Sequence, residues 1–247
     1  MIPVKDSPEI PTQVRKVFDP FLKELTAVHK DNMVSVFLYG SAAGKNFVPG
    51  VSDINSVLVL RTVSLEALQK TLQPVARARR RRIQAPLIMT QEHIRSSLDV
   101  FPIEFLDMKE QYAVVYGEDV LKDIVIQDTH VRLFCEQQIK GRLIRIRQAY
   151  LEVGSKRRGV EALLKESLGS LFPVFRALIR WKGLSVPTRK EEVLKQLHEI
   201  FGVGTDTMSK IWKDRQNDER IDGRDVREIF GMYIKEVESL AQMVDKL

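Results

Sequence analysis

The sequence predicts an α+β protein, in which an N-terminal mixed β-sheet domain with flanking helices precedes an all-α helical bundle. Two apolar runs rich in β-branched residues, at 34–39 and 54–60, flank a loop rich in Gly, Ser, Ala and Pro. This composition is typical of two buried strands joined by an exposed connection. Beyond a turn at 117–119 the apolar residues follow helical spacing. We therefore predict domains at residues 1–124 and 125–247.

The composition indicates a folded protein with anionic partners. Of 247 residues, 44% are hydrophobic, and the formal net charge is +6. This charge favours a nucleoside triphosphate, a nucleic acid or an acidic protein surface. Nucleic-acid binding has the weakest support, because no aromatic residues alternate with the basic run at 79–82 as in single-strand binding surfaces.

Cysteine, histidine and apolar patterns exclude several classes of protein. The single Cys135 cannot form an internal disulfide and lies in a helical pattern as a small core residue. The four histidines lack the spacing of zinc ligands. No apolar run has the length of a membrane span, and the first residues do not resemble a signal peptide. We expect a cytoplasmic protein with no membrane contact.

The elements around the two strands begin with an amphipathic helix from Thr12, which Pro20 either kinks or divides into two. After the second strand, Ser64 is expected to cap a helix whose buried side carries Leu65, Leu68, Leu72 and Val75. That helix runs into Arg77 and the basic residues at 79–82. A solvated helix end is the simplest interpretation, and a contact with phosphates or an acidic acceptor is the alternative.

Further along, residues 85–89 read as a third strand, Thr90 as a helix cap, and residues 100–107 as another strand that starts or bulges at Pro102. Glu104 would be a lone acid within that apolar strand, where it would need a metal or another partner. Asp107 would point to the opposite face. In the second half, helices are predicted from Asp128 to Val153, over 160–181, from Thr188 to Phe201, after Thr205, and from about Arg224 onward.

The candidate chemistry lies where the two central strands meet their loop. Gly40 and Ser41 end the first strand, and a small residue followed by a hydroxyl lets a polyphosphate approach the backbone closely. Asp53 and Asn55 open the second strand, and the strand period of two places them on one face. A carboxylate beside a second oxygen ligand can bind Mg²⁺ together with substrate phosphates.

This motif resembles that of the nucleotidyltransferase superfamily, which includes DNA polymerase β and the kanamycin-type nucleotidyltransferases. The family pattern is an apolar strand, Gly-Ser, a gap of about ten residues, and Asp-x-Asp entering the next strand. Here Leu38-Tyr39-Gly40-Ser41 and Ser52-Asp53-Ile54-Asn55 match it, except that Asn55 replaces the second carboxylate. The helical bundle is similar to the acceptor-binding domain of the kanamycin-type enzymes, with residues 136–150 as the segment expected to line the cleft.

The resemblance implies Mg²⁺-dependent transfer of a nucleoside monophosphate from an NTP to a hydroxyl of a small molecule, a protein or RNA. Gly40 and Ser41 would bind the phosphates. The metal ligands and catalytic residues would be Asp53, Asn55 and Glu104, the last as the third carboxylate and the base. The alternative is a catalytically impaired protein that binds a nucleotide or a partner, because an amide at Asn55 removes one negative charge from the metal site.

Overall fold

The computed structural model describes residues 10–44, 47–154, 156–218, 221 and 226–247. The chain divides into two compact units, Met1–Ile126 and Gln127–Leu247, beside the boundary predicted at residue 124. No helix within the described ranges combines the length and apolar character needed to cross a lipid bilayer.

The first unit contains a four-stranded mixed sheet of order β3-β2-β1-β4, in which β1 is antiparallel to β2 and β4, and β2 is parallel to β3. This confirms the predicted mixed sheet. The elements are α1 Thr12–His29, β1 Met33–Tyr39, β2 Asn55–Leu60, α2 Leu65–Ala78, β3 Leu87–Met89, α3 Gln91–Ser96, α4 Pro102–Glu110 and β4 Tyr112–Gly117.

Both faces of the sheet are covered by apolar side chains, as the strand period of two requires. Val36 and Leu38 of β1 pack on the face covered by α1 and α2, together with Phe18. Phe37 points to the other face, where it packs with Phe105. The central strands β1 and β2 are therefore buried on both sides, and the candidate polar residues lie at their ends.

Helix α1 is continuous through Pro20, which settles the open choice between one helix and two. Proline removes the hydrogen bond to the carbonyl four residues earlier, at Lys16. Both Lys16 and Pro20 are exposed, so water can replace the missing bond.

Helix α2 begins as predicted but buries a different face. The Ser64 hydroxyl accepts a hydrogen bond from the Ala67 N–H at 3.1 Å. The predicted core residues Leu65, Leu68 and Leu72 are exposed, at 72%, 41% and 65% of their surface. The small residues of the neighbouring face are buried instead, namely Ala67, Thr71, Pro74 and Ala78. Val75, the fourth predicted core residue, is half-buried and packs against this core.

A buried polar contact explains this orientation of α2. The His29 imidazole lies 3.0 Å from the Thr71 hydroxyl, which also donates to the Ala67 carbonyl. Burial, with the nearby Lys70 charge, lowers the pKa of His29, so the neutral ring is favoured in the core. Small side chains beside this contact let α2 approach α1 closely. Leucines on the same face would hold the two helices apart.

The strand predicted at 100–107 is wrong, because these residues form most of helix α4. Pro102 occupies the first helical turn, where a missing N–H costs nothing and the fixed φ favours a helix. The Phe105 N–H donates to the Phe101 carbonyl at 3.2 Å, a helical bond. The next strand of the sheet is β4, which begins at Tyr112.

Within its described residues the second unit consists of helices and connecting loops without a strand, as predicted. Its helices are α5 Asp128–Val153, α6 Arg157–Trp181, α7 Lys190–Phe201, α8 Asp206–Gln216 and α9 Val226–Asp245. The predicted cap Asp128 is the first helical residue, and Gln127 holds the cap position. Cys135 is buried, as expected of a core residue, and burial raises the pKa of its thiol to about 12. The predicted start at Arg224 lies outside the described residues.

Candidate functional site

The phosphate side of the candidate site is the turn that follows β1. Gly40–Ala43 forms a 3-10 turn, and the Gly40 N–H donates to the Gln111 carbonyl at 2.9 Å. Gly40 has φ of 69°, while a Cβ there would meet no atom within 4 Å. Backbone conformation rather than crowding therefore favours glycine at this position.

Ser41 presents a hydroxyl at this turn. Its side chain is half-buried and makes no hydrogen bond within the described part of the chain. A half-buried hydroxyl without a partner is available to a ligand. Because the Gly40 N–H is already used by Gln111, the Ser41 hydroxyl is the better candidate for a phosphate contact. Gln111, which supports the turn, carried no signal in the sequence.

The acidic side of the candidate site lies at the start of β2. Asn55 is the first residue of the strand, and its Cα pairs with that of Tyr39, directly before the turn. Asp53 precedes the strand and is half-buried. The structure thus brings Gly40, Asp53 and Asn55 to one end of the β1–β2 pair, as the motif requires.

Asp53 is paired with an arginine. Its Oδ1 lies 2.9 Å from Nη2 of Arg82, and the same Nη2 donates to the Val51 carbonyl at 2.5 Å. Both side chains are partly solvated, with 43% of Asp53 and 49% of Arg82 exposed. In the described part of the chain, the Asn55 amide makes no side-chain hydrogen bond.

Backbone bonds fix Arg82 beside the motif. The Ile54 N–H donates to the Arg82 carbonyl at 2.9 Å, and the Gln84 N–H donates to the Ile54 carbonyl at 3.0 Å. Arg82 itself has φ of 60°, in the left-handed region. This contact depends on pairing between Ile54 and Ile83, far apart in sequence, so local patterns could not have revealed it.

The other arginines of the basic run have different surroundings. Arg77 pairs with Glu24 of α1 at 3.2 Å. Arg80 and Arg81 line a cavity of about 520 Å³, together with Phe21 and other residues of α1 and α2. The run is therefore not one uniform solvated helix end, since separate members contact α1, line the cavity and contact Asp53.

Glu104 does not lie where the third carboxylate was expected. It is exposed in the first turn of α4 instead of on a strand of the sheet. Asp107, the alternative, lies on the same helix. In the described residues, the four strands carry no Asp or Glu at all. The sheet therefore supplies no third carboxylate beside Asp53.

These residues do not fit a two-metal centre. Mg²⁺ takes oxygen ligands in an octahedron and is usually bound through one or two carboxylates plus substrate phosphates. Here the motif offers one carboxylate, already paired with a guanidinium, and one neutral amide. Elsewhere in the described ranges, too, no three His, Cys, Asp or Glu side chains cluster as a metal site.

The bundle segment expected to line a cleft forms ordinary ion pairs within its own unit. Glu136 accepts from Arg132 at 2.8 Å and from Lys140 at 2.5 Å, one helical turn on either side. Arg147 pairs with Glu238 of α9. The role of residues 136–150 in binding an acceptor stays a prediction.

Neither a family model nor a curated protein matches the sequence. The structure is similar to that of spectinomycin adenyltransferase AAD(9) from Enterococcus faecialis, solved with ATP and spectinomycin. The TM-score is 0.51 at 13% identity, over 90% of this chain and 98% of that one. At this identity the likeness concerns the fold. This chain therefore has the fold of a nucleotidyltransferase, a mixed-sheet unit followed by a helical one.

Proposed function

We propose that this protein binds a nucleoside triphosphate at the Gly40–Ser41 turn and that its capacity for nucleotidyl transfer is impaired. The observation that carries this proposal is the state of the acidic side: Asp53 is the one carboxylate of the described motif, and it is paired with Arg82. The phosphate side keeps the residues of the family pattern, whereas the metal side does not.

Nucleotide binding is supported by the turn and by charge. The Ser41 hydroxyl has no partner within the described part of the chain and can donate to a phosphate oxygen. The formal net charge of +6 attracts a polyanion. The similar adenyltransferase was solved with ATP, and its fold covers most of this chain.

Impaired nucleotidyl transfer is expected because the site lacks the negative charge of a second carboxylate at Asn55. Transfer of this type needs positioning and neutralisation of developing charge, which two metal ions commonly supply. Replacing one carboxylate by an amide removes an attraction of about 4 kcal/mol for a unit charge 4 Å away at an effective dielectric of 20. This amounts to roughly a thousandfold in cation affinity. Arg82 lowers the affinity further, because it repels a second cation near Asp53.

Nucleotidyl transfer from an NTP to a hydroxyl acceptor with Mg²⁺ is the second candidate, and the position of Asp53 favours it. Asp53 stands where the family places its first carboxylate, and its partly exposed pair with Arg82 is worth at most about 1 kcal/mol. A cation could displace such a pair. In this case Asn55 would serve as a neutral ligand, and Glu104 would have to be replaced by an acid from elsewhere.

The test combines binding with turnover. Calorimetric titration with the four NTPs measures affinity, while α-labelled NTPs, Mg²⁺ or Mn²⁺ and a panel of hydroxyl acceptors measure transfer. We expect binding of at least one NTP and no transfer above that of Asp53→Asn. Asn55→Asp, which restores the family carboxylate, should increase the affinity for Mg²⁺ in the presence of nucleotide.

Two outcomes would decide against the proposal. A wild-type protein that binds no NTP would remove nucleotide binding. Turnover in the wild type that disappears in Asp53→Asn would establish the second candidate instead.

A further inference from the structure

We infer that the Arg82 guanidinium supplies the positive charge for the triphosphate, so that the nucleotide binds without a divalent metal ion. This inference rests on the nucleotide binding proposed above. It starts from the disagreement between the residues at Asp53 and the ligand set that Mg²⁺ needs. A protein cation already stands beside the carboxylate that would hold a metal.

Arg82 keeps hydrogen-bond donors for an anion. Both of its contacts, with Asp53 and with the Val51 carbonyl, use Nη2. Within the described residues, Nε and Nη1 make no hydrogen bond, which leaves three N–H groups. With 49% of its surface exposed, the side chain is accessible to a ligand. Charge-assisted bonds from guanidinium to phosphate are among the stronger hydrogen bonds in proteins.

The backbone and Asp53 together position this guanidinium. The Arg82 carbonyl is held by the Ile54 N–H, and Ile54 lies between Asp53 and Asn55. Asp53 and Val51 hold Nη2 from the other side. A side chain held at both ends loses less conformational freedom on binding a phosphate than a free surface arginine.

In this arrangement Asp53 positions Arg82 instead of binding a metal ion. The effect of Asp53→Asn on nucleotide affinity is then the opposite of the effect expected for a metal site. If a metal ion carried the triphosphate, Asp53→Asn would weaken binding by removing a ligand. If Arg82 carries it, Asp53→Asn removes a negative charge near the phosphates, and binding is kept or strengthened. The amide oxygen can still accept from the guanidinium.

The experiment measures ATP affinity with EDTA and with Mg²⁺, for the wild type, Arg82→Ala, Asp53→Asn and the control Arg80→Ala. Arg80 belongs to the same run but lines the cavity at α1. We expect equal wild-type affinity in the two buffers and a roughly ten- to hundredfold loss in Arg82→Ala, the range for one or two charge-assisted bonds. Arg80→Ala should stay within about twofold, since Asp53 pairs with Arg82 and the exposed charge of Arg80 is screened by solvent.

Each failure has its own signature. Wild-type protein that binds no ATP in either buffer would remove the proposed function. ATP binding that requires Mg²⁺, or that falls in Asp53→Asn while Arg82→Ala binds normally, would overturn this inference and leave nucleotide binding intact. Should Arg82→Ala fail to fold, Asp53→Asn and the EDTA measurement still decide.

Discussion

The polar side chains near the two ends of strand β1 differ in whether they have hydrogen-bond partners within the protein. At the Met33 end, the Ser35 hydroxyl donates to the Glu118 carbonyl at 2.6 Å, and the Glu118 N–H donates to the Val34 carbonyl at 3.3 Å. At the Tyr39 end, the half-buried side chains of Ser41 and Asn55 have no such partner within the described part of the chain. The Ser35 hydroxyl near one end of β1 is thus paired within the protein, whereas the Ser41 and Asn55 side chains beside the other end are not paired within the described residues.

This difference separates residues that hold the fold from residues that can hold a ligand. Half-buried polar side chains without a protein partner can bond to water or to a ligand, whereas the Ser35 hydroxyl is already used within the protein. A phosphate bound at the proposed turn would accept a hydrogen bond from Ser41. The paired end has no comparable capacity, although it belongs to the same strand and carries a serine as well.

The glycines at the two ends should give the largest contrast. Gly117, paired with Ser35, has φ of 74°, and a Cβ there would lie 2.0 Å from the Val34 carbonyl oxygen. Gly117→Ala should lower the free energy of unfolding by roughly 3 kcal/mol. Alanine disfavours the positive φ, and its Cβ would also force the backbone of β1 to move. Gly40→Ala, with a similar φ but open space, should cost only about 1 kcal/mol.

Chemical denaturation of both variants measures this difference. Equal losses would mean that the turn after β1 is as tightly packed as the opposite end. The contrast between the two ends would then not hold.

Local patterns predicted the features that local physics decides. Strands β1 and β2, the Ser64 cap and the helical second half follow from periodicity and capping, which need only neighbouring residues. The buried face of α2 differs from the predicted one. Leucines are more hydrophobic than the small residues of this helix, so the pattern favours burying them, but the His29–Thr71 contact lies on the face with the small residues.

The errors at the candidate site have a different origin. Residues 100–107 were assigned to a strand from their apolar content, although Pro102 is equally suited to a helix start. Arg82 reaches Asp53 only through the parallel pairing of distant segments. The contribution of Gly40, Ser41, Asp53 and Asn55 to binding stays a prediction, to which the structure adds a shared location.

Ser35 and Ser41 allow the same comparison of the two ends of β1, with smaller expected effects than the glycines. Ser35→Ala removes a hydrogen bond and should lower the free energy of unfolding by about 1 kcal/mol without changing NTP affinity. Ser41→Ala has no protein hydrogen bond to lose, so stability should change by less than about 0.5 kcal/mol. Its NTP affinity should fall by about tenfold, the lower value for one hydrogen bond to a charged acceptor.

Denaturation measures the free energy of unfolding of each variant, and calorimetric titration measures its NTP affinity. The opposite assignment, with Ser41→Ala destabilised and binding normally, would make Ser41 a structural residue.

The smallest effect is expected at Glu104. Its carboxylate lies exposed in the first turn of α4 and not on a strand of the sheet, so Glu104→Gln removes one solvated charge. NTP affinity and any Mg²⁺ response should stay within about twofold of the wild type, since solvent and salt screen an exposed charge. Asp53→Asn is the comparison, because it changes a carboxylate that contacts Arg82. A tenfold loss of NTP affinity or of the Mg²⁺ response in Glu104→Gln would place α4 beside the bound nucleotide. It would also return Glu104 to the role of third carboxylate, now supplied by a helix instead of a strand.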